Sequence, residues 1–245
     1  MTSLQLYQPI NELKPVANDI WIVDGPEVRM QYWGLRLPFT TRMTIVRLPD
    51  GRIWIHSPTE LTEELRQAVA ALGPVSFIVS PNRLHTSWLA TWKAQWPEAV
   101  TAGVAREPAW NGTRMNYGID LSDDRSFPWQ VAISQCFVQG SVFSETIFFH
   151  AASRTLILTD LVENFELERV RGFWMRLLLR IAGPLDPGGT APSDMRYTFR
   201  KHRAELRAAV GQIRGWAPDR VILSHGRWYQ GDGLREMERA FAWVW

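Results

Sequence analysis

Short apolar runs that end at a histidine or an aspartate are the most informative feature of the hydrophobic pattern. Apolar runs of this length, bounded by polar residues, predict buried strands. Loops that leave the carboxyl ends of buried strands are where layered α/β folds usually carry their chemistry. Three runs have this form, and they lead to His85, Asp160 and His225 respectively: Val75–Val79, Leu156–Thr159 and Val221–Ser224.

The first part of the chain predicts strands and one hairpin. Apolar and polar residues alternate over Asp19–Asp24 (DIWIVD), which predicts a strand, and Gly25-Pro26 predicts a turn after it. Met43–Leu48 and Arg52–His56 flank a Pro-Asp-Gly sequence, which is typical of a hairpin connection. The intervening segment Gln31–Thr41 is expected to be a loop that lies over one face of the molecule.

Apolar residues at helical spacing predict the helices. Ser57-Pro58-Thr59-Glu60 has the spacing of a capping box, and the apolar positions after it continue to Leu72, where Gly73 ends the helix. Gly183–Pro192 (GPLDPGGTAP) is expected to be a loop. Further helices are predicted over 87–96, 165–181, 194–216 and 234–245, further strands over 99–104, 129–138, 145–150, 155–159 and 220–224, and irregular structure over 106–126.

This order of elements favours two sheets packed face to face with helices outside them, an αββα sandwich of the α/β (α+β) class. Strands and helices mix without strict βαβ alternation, which disfavours the alternative, a doubly wound sheet. The sequence of 245 residues contains no internal repeat and no linker-like stretch. We therefore expect a single domain over residues 1–245.

Composition and charge narrow the range of functions. Hydrophobic residues make up 46% of the chain and the net charge is +2 without a basic tail, so nucleic-acid binding is not expected. The single Cys136 excludes an intramolecular disulfide and a cysteine zinc cluster, and it is expected to be a small buried hydrophobe. The sequence shows neither a secretory signal pattern nor a transmembrane run, so a cytoplasmic protein is expected.

Four segments, in their order along the chain, resemble the metallo-β-lactamase superfamily and more narrowly its DUF4336 branch. They are RIWIHSP, SPNRLHTSW, TLILTD and VILSHG, and the resemblance extends over Asn18–Trp245. It implies an αββα fold and a metal-dependent hydrolase. The superfamily carries a His-x-His-x-Asp-His motif after the central strand, a histidine on a glycine-containing loop, an aspartate at a strand end and a last histidine before a glycine.

The chain departs from this ligand set. The glycine-containing loop offers Ser141 in place of a histidine, whereas Asp160 and His225 match the last two positions. The resemblance therefore implies a degenerate site of at most one metal ion, zinc or iron, held by His85, Asp160 and His225 with an open position for water. The tandem motif itself falls on Asn82, Leu84, Thr86 and Ser87, with His85 between the expected positions.

Two functions follow from this reading. In the first, the protein is a hydrolase of a small molecule, with Asp160 and His225 as its catalytic positions. In the second, it is an inactive family member that binds a small molecule or a protein partner in the same pocket. Retention of Asp160 and His225 favours the first, and loss of the tandem histidines favours the second. Simpler roles also remain open, namely His85 as a helix cap and Asp160 in an Asx turn.

The cationic segment Arg169–Ile181 is amphipathic. A core-facing helix with an arginine-rich solvent face is favoured over contact with an anionic membrane surface. Together with the Gly-rich loop after it, the helix is a candidate lid over the strand ends. Of the other histidines, His56 is expected to be a structural neighbour of the site, His150 to lie at the opposite rim, and His202 to lie on a solvated helix face.

Overall fold

Two β-sheets form the centre of the molecule. The computed structural model describes residues 4–32, 35–123 and 125–245. Within these residues, the first sheet has seven strands in sequential order, β1 to β4 antiparallel and β4 to β7 parallel. Its strands are β1 (Lys14–Ala17), β2 (Ile20–Tyr32), β3 (Leu35–Arg47), β4 (Ile53–His56), β5 (Val75–Val79), β6 (Val100–Gly103) and β7 (Ile119–Asp120).

The second sheet has four strands and follows the order β11-β10-β9-β8. β8, β9 and β10 form an antiparallel meander, whereas β10 and β11 are parallel, so their carboxyl ends lie side by side. This pairing brings the segments after β10 and β11 to the same edge of the sheet. The four strands are β8 (Ile133–Val138), β9 (Glu145–His150), β10 (Thr155–Leu158) and β11 (Arg220–Leu223).

Helices cover the outer faces of both sheets. Ile22, Trp54 and Phe77 of the first sheet pack against Phe148 and Ile222 of the second, which makes the central core. The second sheet's other face packs against α5 and α6, and the first sheet's other face against α1 and α2, which confirms the predicted αββα sandwich. The helices are α1 (Glu63–Leu72), α2 (Leu89–Gln95), α3 (Phe173–Ala182), α4 (Ser193–Thr198), α5 (Arg203–Trp216) and α6 (Gly233–Ala240).

The long β2–β3 ladder contradicts two predictions. Gly25-Pro26 does not form a turn, because β2 continues through it to residue 32, and most of Gln31–Thr41 lies in the strands rather than in a loop. A register shift between Gly25 and Val28 marks a bulge, and a bulge is where a strand can hold a proline that lacks an N–H donor. Trp33 of this segment lies outside the described residues.

Three helix predictions need correction as well. The first helix begins at Glu63, with Thr62 as its cap accepting from the Leu65 N–H at 3.2 Å, so Ser57-Pro58-Thr59-Glu60 is not a capping box. The predicted helix 165–181 divides at Gly172, whose φ of 92° is left-handed, into a 3-10 turn and α3. The predicted helix 194–216 divides into α4, a 3-10 turn at 200–202 and α5.

Of the other segments, 106–126 contains the short strand β7 although irregular structure was predicted, the strand predicted over 129–138 begins at Ile133, and the helix predicted over 234–245 ends at Ala240 before a 3-10 turn. The β3–β4 hairpin, the β5 strand and the non-helical Gly183–Pro192 loop are confirmed. Within the described residues, no helix is long and apolar enough to cross a membrane.

Candidate metal centre

Three side chains meet where the two sheets come together at one edge. His85 follows β5 of the first sheet, whereas Asp160 and His225 follow the parallel strands β10 and β11 of the second. One potential ligand atom from each lies within 4.8 Å of the other two. The sequence therefore identified three residues that the fold brings together, although they are up to 140 positions apart (225 − 85).

Asp160 lies between the two histidines. Its Oδ2 is 3.1 Å from Nε2 of His85, and its Oδ1 is 3.3 Å from Nε2 of His225. Asp160 and His225 are buried, and His85 is partly buried. Burial alone would raise the pKa of Asp160, but the two adjacent histidines outweigh it and hold that pKa well below its ordinary value. The carboxylate is therefore charged at neutral pH.

The hydrogen bond on the far side of His225 fixes its tautomer. Nδ1 of His225 lies 2.7 Å from the backbone oxygen of Thr40. A carbonyl oxygen only accepts, so Nδ1 carries the proton and Nε2 of a neutral ring presents a lone pair. That lone pair faces a carboxylate oxygen of Asp160 at 3.3 Å. Two acceptors at this distance require a cation between them or a second proton on the ring.

His85 is held by the segment after β4. Its Nδ1 lies 2.5 Å from the Ser57 hydroxyl, which can donate or accept. Ser57 has a φ of 53°, a left-handed conformation that is uncommon for a residue with a side chain. Non-glycine residues held in this region occur often at functional sites. His85 does not cap the following helix, since α2 begins at Leu89 without a side-chain cap bond.

Asn82 organises the loop after β5 and reaches the site. Its Oδ1 accepts from the backbone N–H groups of Leu84 and His85 at 2.8 and 3.3 Å. Its Nδ2 donates to Oδ2 of Asp160 at 2.6 Å and to the Thr159 hydroxyl at 3.0 Å. Asn82 thus occupies the first ligand position of the superfamily motif and acts as a hydrogen-bond donor to the aspartate instead.

Glu145 shapes the turn that carries Asp160. It begins β9, is fully buried, and accepts from the backbone N–H groups of Thr159, Asp160 and Leu161 at 2.8, 2.9 and 2.9 Å. Burial and the neighbouring Asp160 raise its pKa in spite of these donors. Glu145 was not among the predicted site residues, because an acidic residue at the head of the apolar run ETIFFH does not by itself indicate what its carboxylate binds.

Arg42 ties the His225 loop to the first sheet. This buried side chain of β3 donates from Nη1 to the backbone oxygens of Leu223 and Gly226, at 2.5 and 2.9 Å. Its Nη2 lies 2.7 Å from Oδ1 of Asp24 on the neighbouring strand. Gly226 has a φ of 87°, and a Cβ there would lie 2.0 Å from the Asn164 oxygen, so only glycine fits.

A cavity of about 320 Å³ opens beside the three residues. Its polar lining includes Asp160, His225, Glu163 and Asp194, and the rest is mostly apolar. Burial and the surrounding carboxylates raise the pKa of Glu163 well above its ordinary value. The apolar side chains that line it come from the N-terminal segment, β2, β3, the β5–α2 loop, the segment after β10, α3 with the loop after it, and α4, among them Leu4, Met30, Leu37, Leu84, Phe165, Met175, Leu178, Leu179 and Met195.

The other candidate residues lie apart from this group. His56 is buried against Trp54 and Phe148, and neither ring nitrogen has a hydrogen-bond partner among the residues that the structure describes. Nδ1 of His150 lies 2.7 Å from the Ser153 hydroxyl. Nδ1 of His202 lies 3.7 Å from a carboxylate oxygen of Glu205 in α5. Cys136 is half-buried rather than buried, and burial raises the pKa of its thiol to about 11, so it is not a nucleophile.

The three donors suit one metal ion. Two histidine nitrogens and a carboxylate oxygen, with a position left for water, form a ligand set found in catalytic zinc sites. Two ligand atoms of a tetrahedral zinc ion lie about 3.3 Å apart, given metal–ligand distances of about 2.0 Å. The separations of 3.1 and 3.3 Å are of this size but involve different oxygens of Asp160, and the three donor atoms all lie within 4.8 Å of one another. Ligating histidines also commonly donate their other N–H to a backbone carbonyl, as His225 does to Thr40.

Comparison with solved structures gives strong matches in fold and low identity in sequence. A metallo-β-lactamase from Pontibacter korlensis has a TM-score of 0.63 and 14% identity, over 98% of this chain and 99% of that one. The metallo-β-lactamase FIM-1 from Pseudomonas aeruginosa, in its mono-zinc form, has a TM-score of 0.61 and 10% identity, over 100% and 98%.

A flavodiiron protein, which is a different kind of protein from the two β-lactamases, shares the same fold. The metal-soaked Flv1 flavodiiron core from Synechocystis sp. PCC6803 has a TM-score of 0.61 and 14% identity, over 99% of this chain and 61% of that one. At these identities the likeness establishes the fold alone.

Comparison at the level of sequence gives the family. Curated proteins give no significant match. The model of a domain of unknown function, DUF4336, matches residues 18–171, which include strands β2 to β10, His85 and Asp160. The chain therefore belongs to the DUF4336 family and has the metallo-β-lactamase fold.

Proposed function

We propose that this protein is a hydrolase that depends on one metal ion held by His85, Asp160 and His225. The observation that carries the proposal is the convergence of Nε2 of His85 and Nε2 of His225 on the Asp160 carboxylate, at 3.1 and 3.3 Å, while Thr40 accepts from Nδ1 of His225 and so directs its Nε2 into the site. A divalent cation at this point would take both imidazoles and the carboxylate as ligands. Zinc and iron both accept imidazole and carboxylate ligands.

The chain's own residues would prepare such a site for catalysis. Thr40 and Ser57 orient the two imidazole rings, and Asn82 and Glu145 fix the aspartate and its turn. The apolar cavity beside the site limits access of bulk water, which strengthens electrostatic interactions inside it. A bound ion would supply Lewis acidity and lower the pKa of a water molecule at the open position.

Metal analysis of untagged protein tests the proposal. We expect about one equivalent of zinc, iron or manganese per chain in the wild type, and none in the double variant Asp160→Ala with His225→Ala. A matched control is His150→Ala, which removes a buried histidine outside the site and should retain the metal. Wild-type protein that takes up no stoichiometric metal, even when metal is supplied, would overturn the proposal. Metal-loaded protein is then screened for turnover of esters, lactones and phosphodiesters.

A second function is supported by Asn82. Its amide donates to Oδ2 of Asp160 at 2.6 Å, so the aspartate is partly satisfied without a metal. This arrangement suits a family member that has lost catalysis and binds a small molecule in the cavity. Protein that is folded, metal-free and inactive but still binds ligand would favour this function. The cytoplasmic location and the single-domain organisation both remain predictions.

A further inference from the structure

The cavity beside the metal centre has one polar end and an otherwise apolar wall. α3 contributes Met175 and Leu179 to this wall. Met30 and Leu37 line it from strands β2 and β3 of the first sheet, and Leu84 lines it from the β5–α2 loop. The volume of about 320 Å³ lies at the lower end of the range for small-molecule sites. An apolar wall of this extent is stabilised by an apolar ligand that displaces water from it.

The polar end is acidic. Carboxyl groups of Asp160, Glu163 and Asp194 line it, and His225 is the basic side chain beside them. In the metal-free protein, a ligand with a negatively charged head group would meet the Asp160 carboxylate at short range in a buried environment, which is unfavourable. An uncharged head group that can donate or accept hydrogen bonds avoids that cost.

We infer that this cavity binds the straight alkyl chain of an uncharged amphiphile, such as a fatty alcohol or a fatty ester, with its polar end at Asp160 and His225. The inference rests on the proposed function where it names the substrate class, since the ester carbonyl would lie at the metal centre. The binding step itself needs no turnover.

Calorimetry on chelator-treated, metal-free protein with hexanol, octanol and decanol, and with the matching carboxylates, tests the inference. Each pair of added methylene groups should tighten binding of the alcohol about tenfold until the cavity is filled. The carboxylate of equal chain length should bind at least about tenfold more weakly. Equal affinity for all chain lengths, or tighter binding of the carboxylates, would overturn the inference.

Three variants of α3 locate the binding site. Met175→Trp fills the cavity and should weaken decanol binding at least about tenfold, whereas Leu177→Trp changes a half-buried residue of the same helix outside the cavity and should leave it unchanged. Met175→Ala keeps the test valid if the tryptophan variant does not fold, and it should shift the preference to a longer chain. Equal affinities in all three variants would place the ligand elsewhere.

The outcome is separable from that of the proposed hydrolase. Decanol binding is measured in chelator-treated protein and in the variant Asp160→Asn. If chain-length dependence persists there while no ester is hydrolysed by metal-loaded protein, the cavity assignment stands and the hydrolase proposal falls. If esters are hydrolysed at rates that do not depend on chain length, the hydrolase proposal stands and the cavity assignment falls.

The outer face of α3 supports a second, independent inference. Phe173 and Trp174 are 68% and 78% exposed, and Ile181, which also lies at the rim of the cavity, is 72% exposed; this contradicts the prediction that the helix buries its apolar side in the core. Exposed Arg171 and Arg180 flank them. Large apolar groups beside arginines on one short helix are typical of helices that lie in an anionic membrane interface. We propose that α3 docks on the surface of an anionic bilayer.

Sedimentation with lipid vesicles tests this docking. The protein should bind phosphatidylcholine vesicles that contain phosphatidylserine, bind pure phosphatidylcholine vesicles at least about tenfold more weakly, and lose affinity as salt rises. Trp174→Glu should abolish binding, whereas Val131→Glu, at a loop position that is 92% exposed, should not. Absence of vesicle binding, an equal effect of both variants, or burial of Trp174 in a dimer without lipid would overturn the docking.

Discussion

At the scale of single residues, His56 is a buried histidine whose ring makes no hydrogen bond within the described part of the chain. His56 stacks on Trp54 with ring centroids 5.6 Å apart and meets the edge of Phe148 at 5.4 Å. Burial, and secondarily the nearby His85, lower its pKa from 6.5 to about 3. The ring is therefore neutral in the folded protein over the whole physiological range.

This neutral ring makes stability depend on pH with a defined sign. Below pH 6.5 the unfolded chain protonates His56 and the folded chain does not, so the group's contribution is intact above pH 6.5 and is lost as pH falls toward 3. The slope from this one group approaches about 1.4 kcal/mol per pH unit within that window. We expect His56→Phe, which keeps an aromatic ring in the same packing, to remove that part of the slope.

Urea unfolding of wild type and His56→Phe between pH 3 and pH 7 measures the difference. His202→Gln is the control, because this histidine is only half-buried and should leave the slope as it is in the wild type. Parallel stability curves for wild type and His56→Phe would show that His56 is hydrated or partnered in solution.

At the scale of elements, the turn after β11 determines where His225 lies. Gly226 adopts a left-handed φ of 87°, and an added Cβ would meet the Asn164 oxygen at 2.0 Å. Gly226→Ala therefore has to displace the backbone beside His225. We expect a loss of stability of about 2 kcal/mol or more, together with loss of bound metal.

A glycine-to-alanine substitution inside α5 should increase stability rather than decrease it. Gly211 lies inside α5 with no atom within 4 Å of the position of a Cβ. Gly211→Ala should therefore stabilise the protein by about 0.5 to 1 kcal/mol, since alanine is the better helix former. Chemical denaturation of both variants, with metal content measured in parallel, makes the comparison. Equal and small effects at the two positions would contradict the strained turn.

The sequence could predict a feature when residues close together in the chain determine it, and could not when the feature depends on residues far apart in the chain. Apolar runs that end at Asp160 and His225 are local patterns, and the parallel pairing of β10 and β11 then brings the two residues together. Glu145 contacts backbone N–H groups 14 to 16 positions away, so no local pattern identifies it. The bulge that allows β2 to pass through Gly25-Pro26 depends in the same way on its pairing with β3.

α3 shows a different kind of error. Its periodicity correctly predicted an amphipathic helix, but hydrophobic periodicity does not tell which surface the apolar side will meet. The prediction assumed the core, whereas Leu179 is the buried member of the helix and Phe173, Trp174 and Ile181 face outward. The lid role stays a prediction, supported by the residues that α3 contributes to the cavity wall.

At the scale of the whole molecule, the site depends on how the two sheets are joined. Its three candidate ligands come from both sheets, so their separation depends on contacts that cross the sandwich. Arg42 makes such a contact: it is 2% exposed, pairs with Asp24 within the first sheet, and donates to the backbone oxygens of Leu223 and Gly226 in the second. This one side chain thereby links β3 to the loop that carries His225.

Removal of this side chain should therefore affect stability and the site together. Arg42→Ala leaves a buried carboxylate with Lys14 as its remaining ion-pair partner and deprives two carbonyl oxygens of their donor. Loss of one member of a buried ion pair typically costs about 3 to 5 kcal/mol. Arg47→Ala on the same strand removes an exposed pair with Asp19 and should cost less than about 1 kcal/mol. Guanidinium unfolding measures both. If Arg42→Ala bound metal like wild type and lost no more stability than Arg47→Ala, the relative position of the two sheets would have to be fixed by the apolar core alone, and the His225 loop would be independent of β3.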